Sequence, residues 1–337
     1  MSTAVEEYLT AVSVGDREGA LELVRRLLGS GSSTLEIIDE VVAPAQARVG
    51  ELWATDAWSV AQEHAATAVS EAVLGLLGTD GRPPARASAP VVVTCVENEW
   101  HALPALIVAE HLRAARVPVS YLGANASAEH LVRHVLEVAP SAVALSCSLS
   151  ASLPRVRRQI EAVRATGTPV VVGGAAFDPE GRRAAVLGAT AFASCGADCV
   201  EVVDRLPSAV PPAPPLTHPG ASEGLAVHAD REEITARLRA GMVSRPPFAE
   251  GLEPEVAWQR ALLDHLPHLV GALAGALVTD DRAVLDDAVT WLDDVMGHRD
   301  APEGTTGEVA NQLLTVMGEH PAATRLLSGL GRPARGR

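Results

Sequence analysis

The chain has 337 residues, of which 47% are hydrophobic and only 3% aromatic, and its formal net charge is −15. Such an acidic chain argues against a broad nucleic-acid surface, which needs a basic patch. No apolar run approaches the roughly 18 residues of a membrane span, and the N-terminus lacks the basic and apolar parts of a signal peptide. We therefore expect a cytoplasmic protein of two or three domains that binds neither nucleic acid nor membranes.

Residues 1–80 are predicted to form a four-helix bundle. Apolar positions recur there at spacings of three and four residues, the period of an amphipathic helix. Ser59 with Gln62 three residues later indicates a capping box at the start of the fourth helix. The four predicted helices lie in AVEEYLTAV, DREGALELVRRLL, STLEIIDEVVAPAQARVGELW and SVAQEHAATAVSEAVLGLL.

Residues 88–207 show a different pattern, in which short apolar runs alternate with helical segments. This alternation predicts a five-stranded parallel, doubly wound (Rossmann-like) sheet with crossover helices. The five predicted strands are PVVVTCV, VPVSYLG, SAVALSCS, TPVVVGG and ATAFAS.

Residues 208–228 are rich in proline and predict a linker. The remaining residues, 229–337, return to helical periodicity and predict an all-α domain of roughly globin size. We therefore expect a multi-domain protein of α and α/β classes.

The loop after the first predicted strand contains a candidate metal ligand. Glu99, Trp100 and His101 interrupt the apolar sequence at the carboxyl end of that strand, where open parallel sheets bind their ligands. A neutral imidazole can ligate a metal through one nitrogen while its other N–H binds a carboxylate. Glu99 and His101 could supply this pair, although a histidine at a strand end is commonly an ordinary polar loop residue.

The ends of two further strands add candidate residues. The third predicted strand finishes beside Ser146 and Ser148, and the fourth finishes at Gly173 and Gly174. Because glycine has no side chain, this pair would allow a bulky ligand to approach the backbone.

These strand ends resemble the cobalamin-binding modules of methionine synthases, mutases and corrinoid proteins. That family carries D-x-H-x-x-G, then S-x-L or S-x-T, then a Gly-Gly pair. This chain has Glu99-x-His101-x-x-Pro104, followed in the same order by the serines and glycines named above. The resemblance implies that His101 is the lower cobalt ligand, with the displaced benzimidazole tail entering a slot beside the serines and glycines. The departures are Glu99 for Asp, Pro104 for Gly and Ser148 for Leu or Thr.

The bundle resembles the cap of cobalamin-dependent photoreceptors, which bind adenosylcobalamin. Trp53, nine intervening residues and then Glu63–His64 match their signature. The resemblance implies that Trp53 packs beside the adenosyl group, that Glu63 and His64 line the same pocket, and that light breaks the cobalt–carbon bond. Light-responsive repressors of this family have a cobalt-ligating histidine directly after the tryptophan, whereas this chain has Ala54. A response to light should therefore differ here. Alone, Trp53 could be a core aromatic, and Glu63–His64 a solvated helical turn.

The order of the domains is similar to that of photocobilins, which combine cobalamin with a bilin such as biliverdin. This resemblance implies a globin-like C-terminal domain that binds a bilin without a thioether, since no cysteine follows Cys199. Haem, or a domain that only mediates interactions, are the alternatives. The candidate bilin contacts are Trp258, Arg260, His265 and His268.

A light-sensing signalling protein is the first hypothesis, acting as a homodimer or on a downstream partner. A corrinoid methyl carrier of a methyltransferase system is the alternative, although the Trp53 and Glu63–His64 combination counts against it. An adenosylcobalamin mutase subunit would need a barrel that this chain lacks. We do not expect an enzyme by itself, because the sequence contains no paired catalytic carboxylates, nucleophile triad or phosphate loop.

Overall fold

The computed structural model describes residues 3–78, 89–243, 247–248, 251–253 and 255–330. Contacts between residues divide the chain into two compact units. The first comprises Met1–Ser148, Gln159–Gly174 and Ala189–Ala213, and the second comprises Leu149–Arg158, Ala175–Gly188 and Pro214–Arg337. The junction between the first two predicted domains, residues 81–87, lies outside the described residues.

The N-terminal bundle has the four predicted helices, and the third contains an irregular turn. Its helices are α1 (Thr3–Ser13), α2 (Arg17–Gly29), α3 (Thr34–Ile37) continued by a π-helical turn (Ile38–Val42) and α4 (Ala43–Ala54), and α5 (Val60–Leu77). Pro44 has no N–H to donate, and just before it Ala43 donates to the Ile38 carbonyl, five residues back. The predicted capping box of Ser59 and Gln62 is present.

The sheet is five-stranded and fully parallel, as predicted, in the order β2-β1-β3-β4-β5. The strands are β1 (Val91–Cys95), β2 (Val119–Gly123), β3 (Ala142–Ser146), β4 (Val170–Gly173) and β5 (Ala191–Phe192). The connecting helices are α6 (Ala102–Ala114), α7 (Ala128–Val138), α8 (Leu153–Arg164, preceded by a 3₁₀ turn, Ser150–Ser152), α9 (Arg182–Val186) and α10 (Gly196–Asp204). In this order the direction of the crossovers reverses between β1 and β3, which creates a binding crevice at their carboxyl ends.

The bundle packs directly on the sheet domain within the first unit. Leu103 at the start of α6 belongs to the same buried cluster as the core residues of the bundle. His111 on α6 is 4% exposed in its side chain, and its Nε2 lies 3.1 Å from Asp39 Oδ2 in the π-helical turn. The bundle therefore contacts the helix that begins immediately after His101.

The C-terminal region is helical, as predicted, and its helices continue the chain order. They are α11 (Ala221–Ala229), α12 (Arg231–Met242), α13 (Ala257–Thr279), α14 (Ala283–Gly297), α15 (Thr305–Val316) and α16 (Pro321–Leu327). Helix α11 lies almost entirely in the stretch predicted as a linker, residues 208–228. It is part of a packed core, since Ala221, Gly224 and Val227 are buried. Gly224 permits this packing, since a Cβ there would lie 2.8 Å from Leu277 Cβ.

Helix α13 corrects the expectation that no apolar segment reaches membrane-spanning length. It is 23 residues long, and its most apolar window has a mean hydropathy of 1.4. However, 72% of that window is buried in the protein, and every residue from Leu269 to Thr279 is buried. A helical segment that is apolar on all sides and buried belongs to a core, so we interpret the C-terminal half of α13 as the centre of the second unit.

The second unit also contains two segments from the connections of the sheet. A Cβ at Gly271 of α13 would lie 2.6 Å from Ala151 Cβ, and one at Gly275 would lie 2.6 Å from the Ser150 carbonyl. Arg183 pairs with Asp281 at 2.7 Å. The C-terminal helices therefore pack on residues that precede the predicted linker.

Candidate functional site

The loop that follows β1 is held in place mainly by backbone hydrogen bonds. Val96 N–H donates to the Ser146 carbonyl at the end of β3, at 3.0 Å. Asn98 has a positive φ of 62° and donates from its N–H to Asn125 Oδ1 at 2.9 Å. Asparagine tolerates this left-handed conformation better than most residues, and it allows the chain to reverse before Glu99.

Glu99 is fully buried and is bonded on both oxygens. Its Oε1 accepts hydrogen bonds from the ring Nδ1 of His101 and from the His101 N–H, the latter at 3.1 Å. Its Oε2 accepts a hydrogen bond from the Ser148 N–H, at 3.0 Å. The carboxylate therefore joins the loop after β1 to the loop after β3 across the crevice.

The same contacts shift the ionisation of both partners. Burial alone would raise the pKa of Glu99, but hydrogen bonds and charge from His101 and Ser148 outweigh it and lower that pKa. The hydrogen bond to Glu99 raises the pKa of His101, burial opposes it, and the charges of Glu99 and Glu63 add to the rise. The pair is therefore an ionised carboxylate that fixes the imidazole with a proton on Nδ1.

His101 presents the rest of its ring outward. Its side chain is 53% exposed, although the carboxylate that holds it is completely buried. Within the described residues, no hydrogen bond to its Nε2 is found. Since Nδ1 is occupied, Nε2 is the nitrogen with which His101 could ligate a metal. The described residues contain no cluster of three or more His, Cys, Asp or Glu that could hold a metal.

The other residues predicted at the strand ends differ in their surroundings. Ser146 is buried and Ser148 is half-buried, and both lie beside the loop of His101. Gly173 and Gly174 closely approach protein backbone: a Cβ would lie 2.5 Å from the Ala193 carbonyl oxygen or 2.4 Å from that of Cys147, respectively. Close backbone packing explains why both residues are glycines, and their contact with a ligand stays a prediction.

Trp100 is 70% exposed although it lies between Glu99 and His101. An indole with this exposure, next to an outward-facing imidazole, offers a flat apolar surface to a ligand bound at the same loop. Its assignment as a cofactor contact stays a prediction.

Of the three residues predicted in the bundle, Glu63 makes interactions that connect it to Thr67 of α5 and to His101. Its Oε1 accepts a hydrogen bond from Thr67 Oγ1 at 3.0 Å, and its charge raises the pKa of His101. His64 is 74% exposed and lies 3.5 Å from Glu63 Oε2. Trp53 is half-buried at the end of α4, outside the core cluster of the bundle, whereas Trp58 packs against that cluster.

Two polar residues of the bundle were missed in the sequence. Thr67 lies four residues after Glu63 on α5, and Gln46 on α4 donates from Nε2 to Thr67 Oγ1 at 2.6 Å. The i, i+4 spacing of Glu63 and Thr67 could have indicated their contact. The link to Gln46 could not be predicted, because it depends on the packing of α4 against α5.

The four residues predicted to contact a bilin lie on α13, and their role stays a prediction. Trp258 is buried against Phe248, with ring centroids 6.0 Å apart, and Arg260 is exposed. His265 and His268 come together, with ring centroids 5.7 Å apart, and Trp291 of α14 lies 4.9 Å from His265.

Both parts of the first unit match families of known proteins. Residues 89–202 match a family described as a B12 binding domain, and residues 4–77 match a second family of the same description. B12 is cobalamin, so the cobalamin-binding part of the prediction is supported for the bundle and for the sheet.

One curated relative is the HTH-type transcriptional repressor CarH of Myxococcus xanthus. It is 33% identical over 175 residues, which are 51% of this chain and 57% of the relative. The chain thus spans little more than half the length of that repressor.

One solved structure, a corrinoid protein, shares the fold of this part of the chain. The Methanosarcina barkeri monomethylamine corrinoid protein superposes with a TM-score of 0.53 at 17% identity, over 60% of this chain and 98% of that one. A cobalamin-binding protein from Desulfitobacterium hafniense DCB-2 aligns at 23% identity with a TM-score of 0.33, over 60% and 97% of the two chains.

Proposed function

We propose that this chain is a light-sensing signalling protein that binds adenosylcobalamin, with His101 as the lower cobalt ligand. The observation that carries the proposal is the Glu99–His101 pair at the carboxyl end of β1: the carboxylate is buried, and the imidazole is half exposed with Nε2 directed outward. The matches to B12 binding domains and to CarH support the same ligand.

The residues present fit this cofactor. Glu99 keeps His101 in the tautomer that leaves Nε2 for cobalt, and its bond to the Ser148 N–H fixes the loop on which the ring is carried. The bundle would cover the upper face, where Trp53 would exclude water and Glu63 would accept hydrogen bonds. When bound, the cofactor supplies visible absorption and a weak cobalt–carbon bond that light can break.

The bundle is the element whose movement would carry the signal. It contacts α6 through the buried side chain of Leu103 and through the contact of Asp39 with His111. Loss of the upper group would leave space beside Trp53, so the bundle could repack against α6, a change between two packed arrangements. Ala54 has no group that could ligate cobalt. The illuminated state of this protein should therefore differ from that of a protein in which a second histidine ligates the metal.

Reconstitution with adenosylcobalamin tests the proposal. We expect the dark protein to show the spectrum of nitrogen-ligated adenosylcobalamin and to change irreversibly on green illumination, in step with a change in hydrodynamic size or protease sensitivity. The control is protein with hydroxocobalamin, which has no upper carbon ligand. A spectrum that green light leaves unaltered would exclude the photoreceptor function.

The corrinoid methyl carrier is the second candidate, since the fold is shared with the monomethylamine corrinoid protein. The same reconstitution distinguishes the two. A methyl carrier would prefer methylcobalamin and exchange its methyl group with a partner methyltransferase, whereas the photoreceptor would retain adenosylcobalamin in the dark.

The proposal extends to a bilin such as biliverdin on the C-terminal helices. Its support is the cluster of His265, His268 and Trp291, which provides aromatic surface and polar ring atoms close together. The spectra above should therefore be recorded with biliverdin and with both pigments, and loss of a bilin band on Trp291→Ala would locate it there. The partner controlled by light, and dimerisation, stay predictions.

Cobalt ligation by His101 should weaken as the pH falls. Because Glu99 raises the pKa of His101, protonation of Nε2 begins to compete with cobalt above the ordinary histidine value of 6.5. Below the raised pKa, affinity should fall by about tenfold per pH unit. Titration with cobinamide, which has no benzimidazole tail, isolates this effect. In Glu99→Gln the fall should begin at lower pH, and an unshifted profile would contradict the assignment.

A further inference from the structure

Two side-chain amides hold the loop that carries His101. We call residues 96–101, between β1 and α6, the ligand loop. Gln159 on α8 is completely buried; its Oε1 accepts a hydrogen bond from the Glu97 N–H at 3.1 Å, and its Nε2 donates to the Ala126 carbonyl at 2.7 Å. Because one partner is a donor and the other an acceptor, the orientation of this amide is determined. Gln159 therefore connects the ligand loop with the loop after β2.

Asn125 joins the same two loops from the side of β2. Its N–H donates to the Glu99 carbonyl at 3.1 Å, and its Oδ1 accepts a hydrogen bond from the Asn98 N–H at 2.9 Å. Asn125 has a positive φ of 56°, a conformation that asparagine tolerates better than most residues. The backbone and the side chain of one residue thus bind two successive residues of the ligand loop.

These bonds act on three consecutive residues just before His101. Each of residues 97–99 has a backbone group held by Gln159 or Asn125. The carboxylate of Glu99 in turn accepts a hydrogen bond from Nδ1 of the His101 ring. The backbone position of Glu99 therefore determines the direction in which the imidazole presents Nε2.

The burial of Gln159 indicates that its amide serves the two loops. Val156, Ile160 and Val163 on the same helix are buried and apolar. Burying an amide costs free energy unless its atoms are hydrogen-bonded, and an apolar side chain would avoid that cost. Both bonds of Gln159 go to backbone groups of the loops rather than to its own helix. The amide therefore contributes a fixed geometry for the ligand loop.

We propose that Gln159 and Asn125 are positioning residues that hold the ligand loop in the conformation in which Nε2 of His101 can ligate cobalt. This inference rests on the proposed function, since it names residues that prepare the same site. All of the bonds join protein groups, so they can form before a metal binds. A loop that is ordered beforehand does not have to be ordered on binding, and the affinity rises accordingly.

Asn125→Gly is the decisive variant. Glycine adopts a positive φ readily and keeps the N–H that binds Glu99, so the change removes the bond to Asn98 alone. Full-length protein would be titrated with cobinamide in alkaline buffer, where protonation of His101 does not compete, and binding followed by absorbance. We expect the affinity to fall about fivefold, the equivalent of one hydrogen bond. The histidine-ligated fraction at saturation should also decrease.

Two further variants define the contribution of each amide. Gln159→Met should lower the affinity by about tenfold, because it releases the ligand loop and the loop after β2 together. Asn125→Asp retains an acceptor oxygen and tolerates the same φ, so it should restore the bond to Asn98 and most of the affinity. Circular dichroism would confirm that each variant is folded.

Ser127→Ala is the matched control. Ser127 lies in the same loop as Asn125, and its Oγ accepts a hydrogen bond from the His130 N–H in the first turn of α7. Removing this helix cap should lower the stability of the sheet domain but leave the affinity for cobinamide and its ligation unchanged. Chemical denaturation of each variant separates a loss of stability from a loss of ligation.

A loss of ligation in Ser127→Ala as large as that in Asn125→Gly would show that the amides only stabilise the fold. Unchanged affinity and ligation in Asn125→Gly would also overturn the inference. Failure of the proposed function would look different, because the unmodified protein would then bind cobinamide without a histidine ligand or not bind it at all.

Discussion

His101→Ala is expected to abolish histidine ligation of cobalt and to leave the fold intact. The ring is 53% exposed, and its loss leaves Glu99 bonded to the backbone N–H groups of residue 101 and Ser148. Removing the hydrogen-bond partner of a metal ligand costs about 10- to 100-fold in affinity. Loss of the ligand itself should lower the affinity for cobalamin by more than this. The absorption spectrum should lose the histidine-ligated form, and circular dichroism should not change.

Glu99→Gln is the matched variant for this prediction. It keeps the size of the side chain and one acceptor oxygen but removes the charge, so it should cost about 10- to 100-fold in affinity while the histidine still ligates. His130→Ala, on the exposed surface of α7, provides the control for loss of a histidine elsewhere. A cobalt spectrum that is identical in His101→Ala and the unmodified protein would disprove the assignment of the ligand.

Gly174→Ala is expected to destabilise the first unit strongly. Gly174 has a φ of 107°, and a Cβ there would lie 2.4 Å from the backbone oxygen of Cys147. Backbone strain and the steric overlap each cost about 1–3 kcal/mol, so we expect a loss of about 4 kcal/mol in the free energy of unfolding. Chemical denaturation followed by circular dichroism measures it.

Gly167→Ala separates the two causes. Gly167 also has a positive φ, 85°, but nothing lies within 4 Å of a Cβ at that position. It should therefore cost only about 1 kcal/mol, which reflects the conformation alone. If both variants lost the same stability, close contact with the Cys147 backbone would not be the reason that residue 174 is a glycine.

The sequence predicted the regular elements of the first unit well, because each has an unambiguous hydrophobic period. The four helices of the bundle and the five parallel strands are confirmed. The π-helical turn at Ile38–Val42 was not predicted, since a change in hydrogen bonding before Pro44 leaves the apolar spacing almost unaltered. Helix α11 was missed because buried glycine and alanine in a proline-rich context look like a linker.

The part of the candidate site that could be predicted is the part whose contacts are local in sequence. Glu99 and His101 are two residues apart, so their pairing is a local property that sequence can suggest. The bond from Ser148 to Glu99 depends on which strands are neighbours, and the chain from Gln46 to Glu63 depends on how two helices pack. Such contacts between distant residues have no local signature.

The division of the chain into interleaved units has a consequence for biosynthesis. Ala151 and Leu153 leave the ribosome long before α13, the helix in which Gly271 and Gly275 lie against them. During translation these apolar side chains therefore lack their packing partner until more than a hundred further residues have been synthesised. The sheet can begin to fold early, but its connections reach their final packing only after the C-terminal helices have been synthesised.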